Sequence, residues 1–242
     1  MIAARRRVIA LVLAACALAA AGMVIMRREQ AALPTQPPSE RPTLLLLTSL
    51  PLLLGEDFSL QGNGSAALKG LEAHYRVVPI SVTDGSELAK GRLLLMAQPL
   101  AQTAENLVTL DAWVRRGGHI LLLADPMLEW PSKLPLGDPL RPPPMFADTG
   151  LLAHWGLRLD TPERRGPAQR QLAGQRIVTA SPGTLWGDCD IGADRLAARC
   201  TIGKGEAIVI ADADLLNVDQ LGSGAGHNID SLLRELAMLK HK

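Results

Sequence analysis

The chain has 242 residues, 25 basic and 24 acidic side chains, a net charge of +1 and 48% hydrophobic residues. So balanced a charge excludes the basic footprint of a nucleic-acid binder. Cys16, Cys189 and Cys200 lack the close paired spacing of a zinc or redox centre, so a metal cluster built on cysteine is not expected, and no cofactor is assigned.

Residues 8–26, VIALVLAACALAAAGMVIM, carry no charge. As a helix rising roughly 1.5 Å per residue, they span about 28 Å, enough to cross a bilayer. Arg5, Arg6 and Arg7 precede the run, while Arg27 and Arg28 follow it and are partly offset by Glu29. The positive-inside rule then makes residues 1–7 a cytoplasmic tip and 8–26 a transmembrane anchor. The expectation is a single-pass protein of the bacterial inner membrane, with its N-terminus cytoplasmic and its bulk periplasmic. Two cleavable alternatives stay open. Leu13-Ala14-Ala15-Cys16 reads as a lipobox and Ala17-Leu18-Ala19 as a signal-peptidase site, although the apolar run continues about ten residues past Cys16. All three readings put the remainder on the same side of the membrane.

Residues 27–42 form a Pro-rich linker, with four prolines and no apolar period between 29 and 42. The extracytoplasmic domain is read as 43–242. TLLLLT at 43–48 is a short continuous apolar run, as a strand buried on both faces requires. Ser65 caps a helix to His74, and YRVVPI (75–80) and RLLLMA (92–97) read as the next strands. Thr103 caps a helix whose Leu107, Leu110 and Val114 share a face and which Gly117-Gly118 ends; HILLLA (119–124) follows at once. Strand, helix and strand with short links form a parallel crossover, and the repeated alternation predicts an open α/β sheet, mostly parallel, with helices on both faces. Seven prolines keep 125–146 irregular. A short helix over 150–155, strands at 157–160 and 176–180, and an antiparallel hairpin around Gly203-Lys204-Gly205 come next. The last helix starts at Asn228 and places Ile229, Leu232, Leu233, Leu236 and Leu239 on one face.

Chemistry-bearing residues are few. Asp125 and Asp212 each follow an apolar strand, and Asp214 lies two residues beyond, so a parallel sheet gathers them at its carboxyl edge, where ligands bind. Three carboxylates there can organise a divalent cation for hydrolysis. The plainer reading, preferred, is that they cap backbone amides in turns. Gly222-Ser223-Gly224 lacks the strand–helix frame of a nucleophile elbow, and the five histidines show no ligand spacing, so no catalytic residue is assigned. Trp130, inside the Pro-rich loop, suits a partner surface. Cys189 and Cys200 flank a strand pair in an oxidising compartment and are a candidate disulfide.

LVTLDAWVRRGGHILLLADP (107–126), LLAHWGLRLD (151–160), GKGEAIVIADADLLN (203–217) and HNIDSLLREL (227–236) together carry a resemblance. The chain resembles the extracytoplasmic domain of gliding-motility-type ABC-transporter auxiliary proteins, and the related domain of intraflagellar-transport proteins and of bacterial membrane proteins. The resemblance implies a flavodoxin-like sheet, similar to class I glutamine amidotransferases without their catalytic cysteine, used for interaction or ligand sensing. It departs from larger members in lacking a second hydrophobic span at the C-terminus. The expected function is a non-enzymatic, membrane-anchored accessory subunit. Its expected partners are the membrane and an integral-membrane protein of the ABC-permease kind, with no nucleic acid; the alternative is a metal-dependent hydrolase using the strand-end aspartates.

Overall fold

The computed structural model describes residues 35–53 and 64–240. The cytoplasmic tip, the apolar run 8–26, Cys16 and the first half of the linker, residues 27–34, lie outside the described residues. Among the described residues no helix is long and apolar enough to cross a membrane.

A mixed α/β domain is built on a mostly parallel central sheet. In chain order its elements are β1 (Thr43–Thr48), α1 (Ala66–His74), β2 (Arg76–Pro79), α2 (Gly85–Leu88), β3 (Leu93–Ala97), α3 (Ala104–Arg115) and β4 (His119–Leu123). There follow α4 (Leu151–His154), β5 (Leu157–Asp160), β6 (Pro167–Leu172), β7 (Gln175–Ala180), β8 (Thr184–Gly187), β9 (Asp190–Ile191), β10 (Ala197–Ile202), β11 (Gly205–Ile210), α5 (Val218–Leu221) and α6 (Asn228–Lys240). The sheet runs β2-β1-β3-β4-β11-β10-β9. Its first five strands are parallel, and β10 turns back antiparallel on β11.

Burial explains the apolar runs. All five residues of β3 and the four leucines of β1 are buried, because side chains alternate between two covered faces. Leu45, Leu94, Ile120 and Val209 meet Leu110 and Val114 of α3 on one face. Against the other lies α6, which contacts β4 and α1 and buries Leu232, Leu233, Leu236 and Leu239. Ser65 and Thr103 accept from Leu68 N and Asn106 N, so both predicted caps form. Glycine is required where α3 meets the β10–β11 hairpin: a Cβ on Gly205 would stand 2.2 Å from the carbonyl oxygens of both Gly118 and Val114.

Two small antiparallel pairs stand apart from this sheet. LRLD, expected simply as a strand, pairs as β5 with β8, and β7 pairs with β6 through the two-residue turn Ala173-Gly174, both at positive φ. Cys189 and Cys200 are joined in a disulfide with Cα atoms 4.9 Å apart, fastening the segment after β8 to β10.

Candidate functional site: the carboxyl edge of the sheet

The parallel strands end together, and their following residues meet in one place. Thr48 Oγ1 donates to Ala97 O at 2.9 Å, and the Ser49 hydroxyl donates to Gln98 O, tying the exits of β1 and β3. Gln98 is fully buried and sits at φ +44°. This left-handed conformation is uncommon for a non-glycine residue and turns the chain sharply off β3. Its side chain then acts like an extra stretch of strand. Oε1 accepts from Asp125 N at 3.0 Å, while Nε2 donates to Asp125 O at 3.2 Å and to Pro143 O at 3.1 Å.

Asp125, Asp212 and Asp214 do gather here, all buried. Asp125 accepts from Met127 N at 2.8 Å, from Ala213 N at 2.9 Å and, more weakly, from Asp214 N at 3.4 Å. Asp212 Oδ1 accepts from Leu215 N at 3.0 Å, an amide inside the single turn Asp214–Leu216. Asp214 Oδ2 accepts from Glu129 N at 2.7 Å and so holds the Pro-rich loop. Each carboxyl therefore satisfies backbone donors that would otherwise be buried without partners.

Burial is also the main electrostatic fact of the cluster. It pushes the Asp125 carboxyl up to about 6, against the amides of Ala213, Met127 and Asp214, which pull it down. It pushes Asp214 up to about 7, opposed by the Glu129 amide and assisted by Asp125 and Glu129. Asp212 is raised well above the usual carboxylate range, first by complete burial and then by Asp125. Asp212 Oδ2 and the neighbouring Thr179 hydroxyl are both buried without a hydrogen-bond partner. Thr179 nonetheless opposes the rise in Asp212. Burial so complete disfavours the charged form of Asp212. Among the described residues no group of three His, Cys, Asp or Glu side chains is arranged to hold a metal ion.

The loop lies over this edge. Phe146 N donates to Asp125 O at 2.6 Å and Leu128 N to Pro144 O at 2.9 Å. Glu129 in turn accepts from the Ser181 hydroxyl, which itself accepts from Gly166 N at 2.8 Å, so the β6–β7 pair is fastened to the same loop. Gln98, Glu129 and Ser181 were not singled out from the sequence, where a lone polar residue after an apolar run carries no mark. In the sequence Asn228 marks only the start of a helix. It also stitches that helix to β7 and to the turn Asp214–Leu216, accepting from Val178 N at 3.1 Å and donating to Val178 O at 2.7 Å and Leu215 O at 2.8 Å.

Two surface features remain. Trp130 is half-buried, whereas Trp186 is 40% exposed, with the Arg195 guanidinium 3.8 Å and that of Arg158 5.6 Å from its ring centre. A groove of about 590 Å³ runs between α3 and α4, walled by Ala104, Leu107, Val108 and Leu151, with Asp111 and His154 also lining it.

No family model matches the chain. No curated protein matches it either. Among solved structures, a cytoplasmic protein, STM3548, from Salmonella typhimurium superposes with a TM-score of 0.53 at 10% identity, covering 81% of this chain and 98% of that one. The mmIFT52 N-terminal domain superposes with a TM-score of 0.52 at 14% identity, covering 82% and 98%. The likeness is one of fold. The exo-β-1,4-mannosidase Op5Man5 from Opitutaceae bacterium strain TAV5 overlaps with a TM-score of 0.49 at 13% identity; 83% of this chain spans only 36% of that enzyme. That overlap does not show an enzymatic activity.

Proposed function

We propose that the chain is a membrane-anchored, non-enzymatic accessory subunit, of an ABC-transporter-type complex, whose α/β domain binds a partner protein or small ligand outside the cytoplasm. The observation that carries this reading is the closure, among the described residues, of the carboxyl edge at the exits of β3, β4 and β11. The strand order β2-β1-β3-β4-β11 reverses between β1 and β3, as in flavodoxin-like sheets, whose ligands enter at that reversal. Here Gln98 and the Pro-rich loop occupy the adjoining strand ends, and the three aspartates face backbone amides. A catalytic carboxyl needs to reach a reactant, whereas Asp125 and Asp212 are wholly shielded. Binding is then left to exposed surfaces such as the groove beside α3, where Val108 is 70% exposed. The apolar run 8–26, flanked by arginines, supports the anchor.

Crosslinking in intact membranes from a photoreactive residue at position 108, with the anchor present, tests the reading. It predicts a crosslink to an integral-membrane permease, retained in Asp212→Asn. Recovery of uncrosslinked chain alone, together with a hydrolase activity lost in Asp212→Asn and Asp214→Asn, would replace it with the metal-dependent hydrolase.

A further inference from the structure

Charge separates along the strands. The carboxyl edge carries Asp125, Asp212, Asp214 and Glu129, while the opposite edge, where the parallel strands begin, carries Arg76, Lys90, Arg92 and His119 together with Glu206. Thr43 at the start of β1 stands beside Arg76 of β2, whose Nη2 donates to Thr43 Oγ1 at 2.6 Å. Leu93 of β3 stands beside His119 of β4, and His119 N donates to the carbonyl of Arg92 at 2.9 Å. Between these strand starts opens a pocket of about 470 Å³, lined by Pro42, Thr43, Lys90, Arg92, Gly117 and His119 among others.

The geometry points to an anion as the occupant. Lys90 and Arg92 flank Gly91, so both cationic heads come from one short turn. The Arg92 guanidinium crosses toward Gly117, its Nη1 3.7 Å from where a Cβ on that glycine would lie. The N–H groups of Gly91 and Gly117 already donate to Leu88 O at 3.4 Å and Val114 O at 2.8 Å, so the donors left for an oxyanion are side chains. Two carboxylates stand close by: Glu87 holds Lys90 at 2.5 Å, and Glu206, beside His119 in the sheet, acts on that imidazole. Burial holds His119 below the usual imidazole range, assisted by Arg92, so it enters as a neutral hydrogen-bonding group while Arg92 and Lys90 supply the positive charge.

We propose that the pocket formed by Lys90, Arg92 and His119 at the amino edge of the sheet binds a phosphate group, free or carried by an anionic phospholipid headgroup. Guanidinium and ammonium donors around a small concave site match phosphate oxygens better than an apolar ligand. The headgroup source rests on the anchored reading. The chain enters the sheet through Pro42 and Thr43 at this same edge.

The test uses the full chain, in detergent and in nanodiscs of phosphatidylcholine with or without phosphatidylglycerol. Labelled inorganic phosphate is followed by equilibrium dialysis. The expected result is saturable binding of one phosphate per chain, weakened about ten-fold or more by Arg92→Gln and by Lys90→Gln. Arg164→Gln, at an exposed site on the loop before β6, should leave it unchanged, with circular dichroism melts confirming that all variants fold. Displacement of labelled phosphate by phosphatidylglycerol discs assigns the headgroup; undiminished binding in those discs assigns free phosphate. Absence of both phosphate binding and a phosphatidylglycerol effect, or an Arg92→Gln variant equal to Arg164→Gln, overturns the site. Loss of the chain from membranes on carbonate extraction contradicts the anchor alone, because the detergent arm still decides the pocket.

Discussion

The side-chain amide of Gln98 pairs with the backbone of Asp125 in both directions, receiving Asp125 N at 3.0 Å and giving Nε2 to Asp125 O at 3.2 Å. The pairing extends the β3–β4 ladder by one rung beyond its last regular residues, and the third contact, to Pro143 O, brings the Pro-rich loop down on that rung. The edge is thereby closed by a neutral group that both donates and accepts.

Gln98→Glu should be more damaging than its near-identical shape suggests. It removes both donated hydrogen bonds and places a second acid beside Asp125, so a loss of about 3 kcal/mol is expected from the unsatisfied carbonyls and the buried charge. Urea denaturation at neutral pH measures it. A midpoint equal to that of the native chain would mean that the loop does not depend on this rung.

Asn228 supports a second expectation. With three hydrogen bonds from one buried amide, Asn228→Ala should cost about 3 kcal/mol. Asn228→Asp should be no better, because a carboxylate cannot donate to Val178 O or Leu215 O. If the alanine variant loses less than a simple exposed helix substitution, about 0.5 kcal/mol, the stitching role fails.

The disulfide gives a third. Replacing Cys189 and Cys200 by serine opens a loop of eleven residues and should lower stability by about 2–4 kcal/mol. Thiol labelling of the native chain under denaturing, non-reducing conditions should find neither cysteine reactive. Two reactive thiols would rule the bridge out.

What the sequence makes legible follows the range of the forces involved. Continuous apolar runs at β1, β3 and β4, and the caps Ser65 and Thr103, are local signals, and each became the expected element within a residue or two. β6 was missed because PAQRQL alternates between half-exposed and exposed positions and buries only Leu172, so it carries no apolar period. The strand-end position of the three aspartates was legible because β4 and β11 were. Their hydrogen bonds were legible only as a type, since Asp125 reaches Ala213 and Asp214 reaches Glu129 across more than eighty residues of chain. Gln98 was invisible. Its role depends on a positive φ and on a loop returning from residue 143, neither of which leaves a mark on neighbouring sequence.

Acid titration should separate the cluster from the rest of the domain. Asp125 and Asp214 titrate near 6 and 7 in the folded chain, against about 4 when unfolded. Between those values the folded state holds more protons, so its stability is greatest below about pH 4 as far as these groups are concerned, and falls as pH rises through 6 and 7. Each proton held differentially contributes a slope of about 1.4 kcal/mol per pH unit. Asp214→Asn, which stays neutral, should flatten the fall in melting temperature between pH 5 and 7.5. An unchanged slope would show that Asp214 is ionised at ordinary pH despite its burial.

The central claim is that the carboxyl-edge aspartates hold the fold and do not hold a metal or a reactant. Melting temperature measured with and without millimolar Mg²⁺ or Ca²⁺, for the native chain and for Asp125→Ala, Asp212→Ala and Asp214→Ala, tests it most directly. The account predicts that each alanine variant loses about 1–3 kcal/mol, because buried amides lose their acceptors, and that the cations leave all four proteins alike. A native chain that gains several degrees with the cation, beside alanine variants that stay fully stable yet lose that gain, would contradict it.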